Sequence, residues 1–368
     1  MTTAFTPYSA AEITPEWLTG VLLSGGHLRS ASVTNIERAN VGDGVGFLGE
    51  LTRLTLRYDT PEPGAPATLI SKLPTAFAQA RGLANMFRFY EREGRFYEQV
   101  APQVDIRLPA VYGNVIDVPN DRYLLLLEDI PGAKPGDQLE GCQLAHAETV
   151  IRSIAGFHAH WWQNPQLEQF AEWMPTMSHP MYDYLQPLWQ GSWQPFLDFQ
   201  AEDYPRETMQ KYADQAIALM ADTRARLDAM PQSIAHTDFR LDNMFFGDPE
   251  GETPFALIDW QLTLRGPAMI DIGYFLSQSL DVELRRAHEE RLVREYHRLL
   301  VDAGVKDYDV AQCWDDYRFA VAVMFVIPVT GAATLDSSNP RAVPLLRALA
   351  ERGAAAIIDL DAGATLAP

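Results

Sequence analysis

The chain has 368 residues, of which 47% are hydrophobic and 21% charged, the balance of a folded globular protein rather than a disordered one. At roughly 100–200 residues per domain, that length predicts two domains or one elaborate one. The formal charge of −20 repels phosphate backbones and anionic lipid, so neither nucleic acid nor a membrane is expected as a general partner. The two cysteines, Cys142 and Cys313, are too few for a disulfide framework or a four-cysteine metal site. The N-terminal stretch has neither the basic start nor the apolar run of a secretory signal, so a soluble cytoplasmic protein is expected.

The early chain reads as strands. Ala31–Arg38 and Leu51–Tyr58 flank a glycine-rich turn, and Ala67–Leu73 is a third β-like run. A helix is expected from about Ala80 to Val100, stopped by Pro102, followed by strands at Ala110–Val115 and Tyr123–Leu127. The turn-rich segment Ile130–Gly136 marks a boundary, giving domains 1–130 and 131–368. Beyond it the pattern is helical at Cys142–Trp162, Arg206–Met230, Val282–Ala303, Ala311–Ile327 and Arg341–Leu360. The apolar stretch Phe319–Leu335, interrupted by Pro328 and Gly331, is expected as a buried helix followed by a loop. A strand–turn–strand region from Ile234 to Asp259 interrupts the helices. The fold class is therefore α+β: a small β-rich first lobe, a larger helical second lobe, and a ligand cleft expected between them.

The sharpest local signal is His236-Thr-Asp238-Phe-Arg240-Leu-Asp-Asn243, followed by the short strand Met244–Phe246, a turn-rich tract and a second strand ending in Asp259. Antiparallel pairing of those two strands would bring Asn243 and Asp259 together. An amide oxygen and a carboxylate suit Mg²⁺. Asp238, at a strand-to-loop junction, would be placed to accept a proton. This is the H-x-D-x-x-x-x-N spacing of a phosphoryl-transfer loop, in which a carboxylate orients the acceptor hydroxyl and oxygen ligands hold the metal. A zinc site through His236 and Asp238 lacks a third ligand nearby.

These residues resemble the aminoglycoside-phosphotransferase and choline-kinase superfamily, which has a protein-kinase-like two-lobed fold. Ile258-Asp-Trp-Gln261 and Arg265–Leu276 are most similar to its ecdysteroid-kinase-like branch. The resemblance implies a catalytic base at Asp238, Mg²⁺ ligands at Asn243 and Asp259, and a loop-bracing role for Asp271. Trp260-Gln261 stands where protein kinases have Phe-Gly, and Thr237 where the family often has Gly. Arg240 is expected near the γ-phosphate, offsetting its charge.

In the first lobe, Gly42, Gly44 and Gly46 let the backbone approach a triphosphate. A strand rather than a helix follows them, so they are not a dinucleotide fingerprint. Lys72 ends the third strand, and Glu93 falls on the apolar stripe of the next helix with Phe89, Phe96 and Val100. A carboxylate on a buried face needs a partner. Pairing Glu93 with Lys72 satisfies both and matches the family's lysine–glutamate pair, with Glu91 as the alternative. The resemblance puts the interlobe hinge at Glu128 to Ile130, whose backbone would meet the adenine edge.

The acceptor is less legible. Trp161, Trp162, Trp173, Trp189 and Trp193 cluster with Tyr182, Tyr184, Phe196 and Phe199, either as a packed helical insert or as a wall for a lipophilic alcohol. His158 and His160 occupy helix positions that face apart, so they are expected as satisfied polar residues rather than a metal pair. The leading expectation is ATP- and Mg²⁺-dependent phosphorylation of a small-molecule hydroxyl, plausibly on a steroid-like alcohol. An aminoglycoside- or choline-type kinase is the second reading, and a non-catalytic nucleotide-binding module the third.

Overall fold

The computed structural model describes residues 6–41, 49–248, 251, 253–334 and 340–367. Two compact units emerge: Met1–Ala133 with Ala256–Gln261, and Lys134–Phe255 with Leu262–Pro368. The short insertion of Ala256–Gln261 into the first unit was not anticipated from the sequence.

The first unit opens with helix α1 (Pro15–Ser24), which the strand-dominated reading of this region missed. The signal is there: Thr14 accepts a hydrogen bond from the Trp17 amide, and Pro15 takes the first helical position. Strands β1 (Val33–Asn40), β2 (Gly49–Tyr58), β3 (Thr68–Pro74), β4 (Val111–Asp117) and β5 (Arg122–Glu128) form one antiparallel sheet in the order β1-β2-β3-β5-β4. Side chains alternate across it. Leu69 and Leu73 of β3 join Leu124 and Leu126 of β5 in a core with Leu18 and Leu22 of α1. Lys72 therefore belongs to the opposite face, and it pairs in register with Leu51 on one side and Leu125 on the other.

The expected single helix 80–100 is three pieces. Helix α2 (Ala78–Met86) ends at Phe87, Arg88 turns left-handed at φ 56°, and helix α3 (Phe89–Arg95) continues into a π-helical turn at Phe96–Val100. The buried Arg92 guanidinium donates to the Phe87 carbonyl at 2.7 and 3.0 Å, satisfying the oxygen at the break. Periodicity does not register such a break, because both halves keep apolar residues.

In the second unit, β6 (Lys134–Pro135) leads to helix α4 (Leu144–Trp161), α5 (Leu185–Asp198), α6 (Arg206–Ala218) and α7 (Met220–Ala229). Strands β7 (Ser233–Ala235), β8 (Met244–Phe246) and β10 (Leu264–Gly266) carry the loop region, while β9 (Phe255–Leu257) runs into the Ala256–Gln261 segment of the first unit. Helices α8 (Met269–Ser279), α9 (Val282–Asp302), α10 (Val310–Met324), α11 (Val326–Thr334) and α12 (Ala342–Asp359) complete it. Two expectations are corrected here. The expected helix 206–230 is interrupted at Leu219, and the stretch after Phe325 is helix α11 rather than a loop. Pro328 is tolerated because it lies in the first turn of α11, where backbone N–H groups have no helical acceptor.

Every residue of α8 is buried, including Asp271. The aromatic cluster is core: Trp161, Trp173, Trp189, Trp193, Tyr182 and Phe196 are all buried, whereas Tyr184 is exposed. The packed-insert alternative therefore describes most of it. Among the described residues, no helix is long and apolar enough to cross a membrane.

Candidate active site

The first unit gathers three residues from distant stretches of chain. Lys72 Nζ lies 2.7 Å from Glu93 Oε2 and 2.9 Å from Asp259 Oδ1. Helix α3 reaches the sheet closely enough to deliver Glu93 because position 94 is glycine. A Cβ there would sit 2.8 Å from Ile116 Cγ1 on β4, and the Gly94 carbonyl accepts from Asn114 Nδ2 at 2.8 Å. Asp259 takes a left-handed conformation at φ 68°, and the next residue anchors it. The Trp260 ring stacks on Phe96 at 3.9 Å, and the Trp260 backbone N–H donates to Glu93.

Electrostatics follow from this closure. Burial alone would lower the Lys72 ammonium, but the Asp259 and Glu93 charges hold it above the ordinary lysine value. Burial, reinforced by Asp259, raises Glu93 above the usual carboxylate range against the pull of Lys72. Glu91, the alternative partner, is buried instead between Arg88 and Arg95, at 2.8 and 2.7 Å. Neighbouring arginines one helical turn away in each direction make its burial tolerable, and Lys72 pairs with Glu93 instead.

At the end of β5, the Glu128 carboxylate accepts from Arg107 Nη2 at 2.6 Å and from the Ala110 amide at 2.9 Å. Its side chain is occupied in bracing the strand, and its own amide donates to the Ala110 carbonyl at 2.8 Å. Asp129 is bound in two places by Arg53, and Ile130 follows it, two residues beyond the end of the strand. Gly42, Gly44 and Gly46 lie outside the described residues.

The second unit holds the Asp238 loop. Strand β7 pairs antiparallel with β10 and feeds directly into it. The buried Asp271 carboxylate accepts from the His236 amide at 2.7 Å and the Thr237 amide at 2.8 Å. It also meets His158 Nε2 at 3.2 Å, while His158 Nδ1 meets Tyr296 OH at 2.8 Å. A carboxylate can only accept, so Nε2 carries the proton and Tyr296 donates to Nδ1. His158 is thus a satisfied core residue, and His160 is exposed. Thr237 sits at φ 65°, costly for a β-branched residue, and its hydroxyl donates to the Leu262 carbonyl at 2.9 Å.

Asp238 is gripped rather than free. Arg240 Nε donates to its Oδ1 at 3.1 Å and Asn243 Nδ2 to its Oδ2 at 2.8 Å, with a second bond from Nδ2 to the Asp238 carbonyl. Burial pushes the Asp238 carboxyl up, but Arg240 and His236 bring it below its ordinary value, so it is ionised at neutral pH. Arg240 itself is shared, since Nη1 donates to Asp242 at 2.6 Å. Sequence reasoning passed over Asp242 and its supports. Asp242 Oδ1 accepts from Arg341 Nη2 at 2.9 Å and from the Gln138 amide at 3.0 Å. Gln138 Oε1 accepts from the Leu241 amide at 2.8 Å. No local pattern marks Gln138 or Arg341, which lie about a hundred residues from the loop on either side.

Close approach at this brace depends on Gly136. A Cβ there would fall 2.7 Å from the Leu241 carbonyl, and its amide donates to the Met244 carbonyl at 2.8 Å. After β8, the Gly247 amide donates to the Pro254 carbonyl at 3.2 Å.

The donor chemistry fits Mg²⁺. Asn243 commits its amide nitrogen to Asp238, so its oxygen is the atom that could meet a cation, and the Asp259 contact with Lys72 is through Oδ1. Both offer hard oxygen donors. Among the described residues, no three His, Cys, Asp or Glu side chains form a ready-made metal cage.

No curated protein sequence matches the chain. Among solved structures, choline kinase from Cryptosporidium parvum Iowa II aligns with a TM-score of 0.53 at 10% identity, over 89% of this chain and 91% of that one. Wild-type aminoglycoside 2'-phosphotransferase-IIIa, solved as its GDP complex, gives 0.53 at 12% identity over 91% and 97%. The microcompartment-associated aminopropanol kinase gives 0.50 at 17% over 94% and 98%. Similarity at these identities shows the fold, which is protein-kinase-like. The ecdysteroid kinase-like profile matches residues 43–307, a span that includes Lys72, Glu93, Asp238, Asn243 and Asp259. The chain belongs to the ecdysteroid kinase-like family.

Proposed function

We propose that the protein is an ATP- and Mg²⁺-dependent phosphotransferase acting on a hydroxyl group of a small molecule by direct in-line transfer. The observation that carries this reading is Lys72, which bridges Glu93 and Asp259 although they lie 21 and 187 residues away in sequence. A binding module without chemistry would have no need of that bridge together with an ionised Asp238.

Lys72, oriented by the two carboxylates, would meet the nucleotide phosphates. Glycines 42, 44 and 46 and the backbone at Glu128 to Ile130 are proposed to complete the nucleotide contacts. Asn243 and Asp259 would hold Mg²⁺, which would neutralise phosphate charge when bound. Asp238 accepts a hydrogen bond from the acceptor hydroxyl and takes its proton as the new O–P bond forms and the bond to the β-phosphate oxygen breaks. Arg240 sets the orientation of that carboxylate and offsets charge developing on the phosphoryl group. Positioning and electrostatics carry such a reaction, with no covalent phospho-enzyme.

For the acceptor, we propose a lipophilic, steroid-like alcohol, supported by the family's description and not by the tryptophan cluster, which is consumed in packing. The test incubates the protein with Mg²⁺ and either ATP or GTP against a panel of sterols, other lipophilic alcohols, amino alcohols and aminoglycosides. The readout is the mass gain of one phosphoryl group. Phosphorylation of a lipophilic alcohol, abolished in Asp238→Asn with nucleotide binding retained, is the expected result. Transfer only to amino alcohols or aminoglycosides would overturn the acceptor class, and nucleotide binding with no transfer would overturn the enzyme reading.

A further inference from the structure

We infer that Arg341 is a positioning residue for phosphoryl transfer, acting on Asp238 through Asp242 and Arg240. The inference rests on the phosphotransferase reading above and extends it to a part of the chain outside the family match, which ends at residue 307.

The geometry is a chain of alternating charge. Arg341 Nη2 donates to Asp242 Oδ1 at 2.9 Å, Arg240 Nη1 donates to Asp242 Oδ2 at 2.6 Å, and Arg240 Nε donates to Asp238 Oδ1 at 3.1 Å. Each carboxylate oxygen of Asp242 thus serves a different arginine, so its plane is set by both. The Asp242 side chain is only 3% exposed, so its two oxygens must be met by protein donors rather than water, and the two arginines are those donors. Arg341 is in turn fixed by a two-pronged pair with Asp137, 2.8 Å at each oxygen.

Arg341 is not where helix stability alone would put it. It occupies the N-cap of α12, makes no side-chain capping bond there, and adds positive charge at the end where the helix dipole disfavours it. Asp137 and Asp242 account for its position. A second arginine from α12 supports the same segment. Arg352 Nη1 donates to the Gln138 carbonyl at 2.7 Å, and Gln138 in turn holds the Leu241 amide and, through its own N–H, Asp242. The helix therefore reaches the Asp238 loop through two routes that meet at Asp242 Oδ1, and only the Arg341 route is ionic along its whole length. Losing Arg341 would leave Asp242 with one guanidinium, which it would draw away from Asp238. The reacting carboxylate would then lose orientation without losing its fold.

The test compares Arg341→Gln, Arg341→Lys and, as a control on the same helix, Arg347→Gln, whose wild-type side chain bonds the Phe199 carbonyl instead. Hydrogen exchange is read first, because it needs no substrate. Arg341→Gln should speed exchange at the Arg240, Leu241 and Asn243 amides while Arg347→Gln leaves them unchanged. Steady-state kinetics come second. Arg341→Gln should lower kcat about tenfold with KM for nucleotide within about twofold, the split expected when orientation rather than binding is lost. Arg341→Lys should recover part of kcat, and adding Asp242→Asn to Arg341→Gln should cost less than the product of the two single effects. Wild-type exchange in the loop of Arg341→Gln would overturn the inference, as would unchanged kcat or a loss confined to KM. A wild-type protein with no transferase activity would sink the functional reading instead, and the exchange result would still decide whether Arg341 holds the loop.

Discussion

Lys72 and Asp238 are both charged groups kept largely from water, but they are secured in opposite ways. Lys72 finds its partners 21 and 187 residues away, so its setting exists only once strand, helix and the Asp259 segment have packed. Asp238 finds its nearest partners two and five residues away, in Arg240 and Asn243, and more distant side chains then bolt that local loop in place. The first arrangement is a minimal cluster in which each charge depends on the others. The second is redundant, with Asp271, Gln138 and Arg341 gripping different parts of one loop. Removing one group should be severe in the first and graded in the second.

The largest expected effect is therefore at the lysine. Lys72→Met leaves the Glu93 and Asp259 carboxylates facing each other without a cation and should cost about 3–5 kcal/mol of stability, read by urea unfolding. Adding Glu93→Gln should recover part of that loss; equal stability of the single and double variants would show that the cluster is not interdependent. At the loop, Asp271→Asn keeps one acceptor oxygen for two amides and the His158 N–H and should cost about 1–3 kcal/mol, with faster exchange at the His236 and Thr237 amides. A loss as large as that of Lys72→Met would erase the proposed contrast.

Thr237 sharpens the comparison at smaller scale. Thr237→Gly relieves the left-handed strain but forfeits the hydroxyl bond to Leu262, two terms of about 1 kcal/mol each that nearly cancel. Thr237→Ala loses the bond and keeps the strain, so it should be the less stable of the two in thermal melts. The smallest effect is with pH. The hydrogen bonds from Arg341 hold the Asp137 carboxyl down at about 2. Its folded value lies below the unfolded one of about 3.9, so its contribution is complete above that value and is lost as pH falls toward the folded one. The Asp137 side chain is 35% exposed, so solvent screening keeps the effect small. Wild type and Asp137→Asn should converge in stability between about pH 4 and pH 2; a constant difference would remove the Arg341 bond as the cause.

Much of this was legible beforehand. All five strands of the first unit lie within a few residues of their expected places, because alternation and turn residues are local properties. Glu93 could be assigned a cation because a carboxylate on an apolar stripe must have one. The helix breaks at Arg88, Leu219 and Phe325 were not legible, since each is a change of backbone direction that leaves the apolar periodicity intact. The aromatic run from Trp161 to Phe199 was ambiguous for a different reason. Composition marks such residues as buried or binding, and only packing against the other helices of the second unit decided for burial.

From the residues alone came the period of the strands, the spacing of the Asp238 loop and the need for a partner at Glu93. Each is governed by neighbours along the chain or by the cost of burying one charge. Which distant groups meet those residues was decided only in three dimensions for Asp259 at Lys72 and Arg341 at Asp242. Hydrogen bonds and ion pairs act over a few ångströms of space whatever the separation in sequence, and it is the folded backbone that brings such groups within reach.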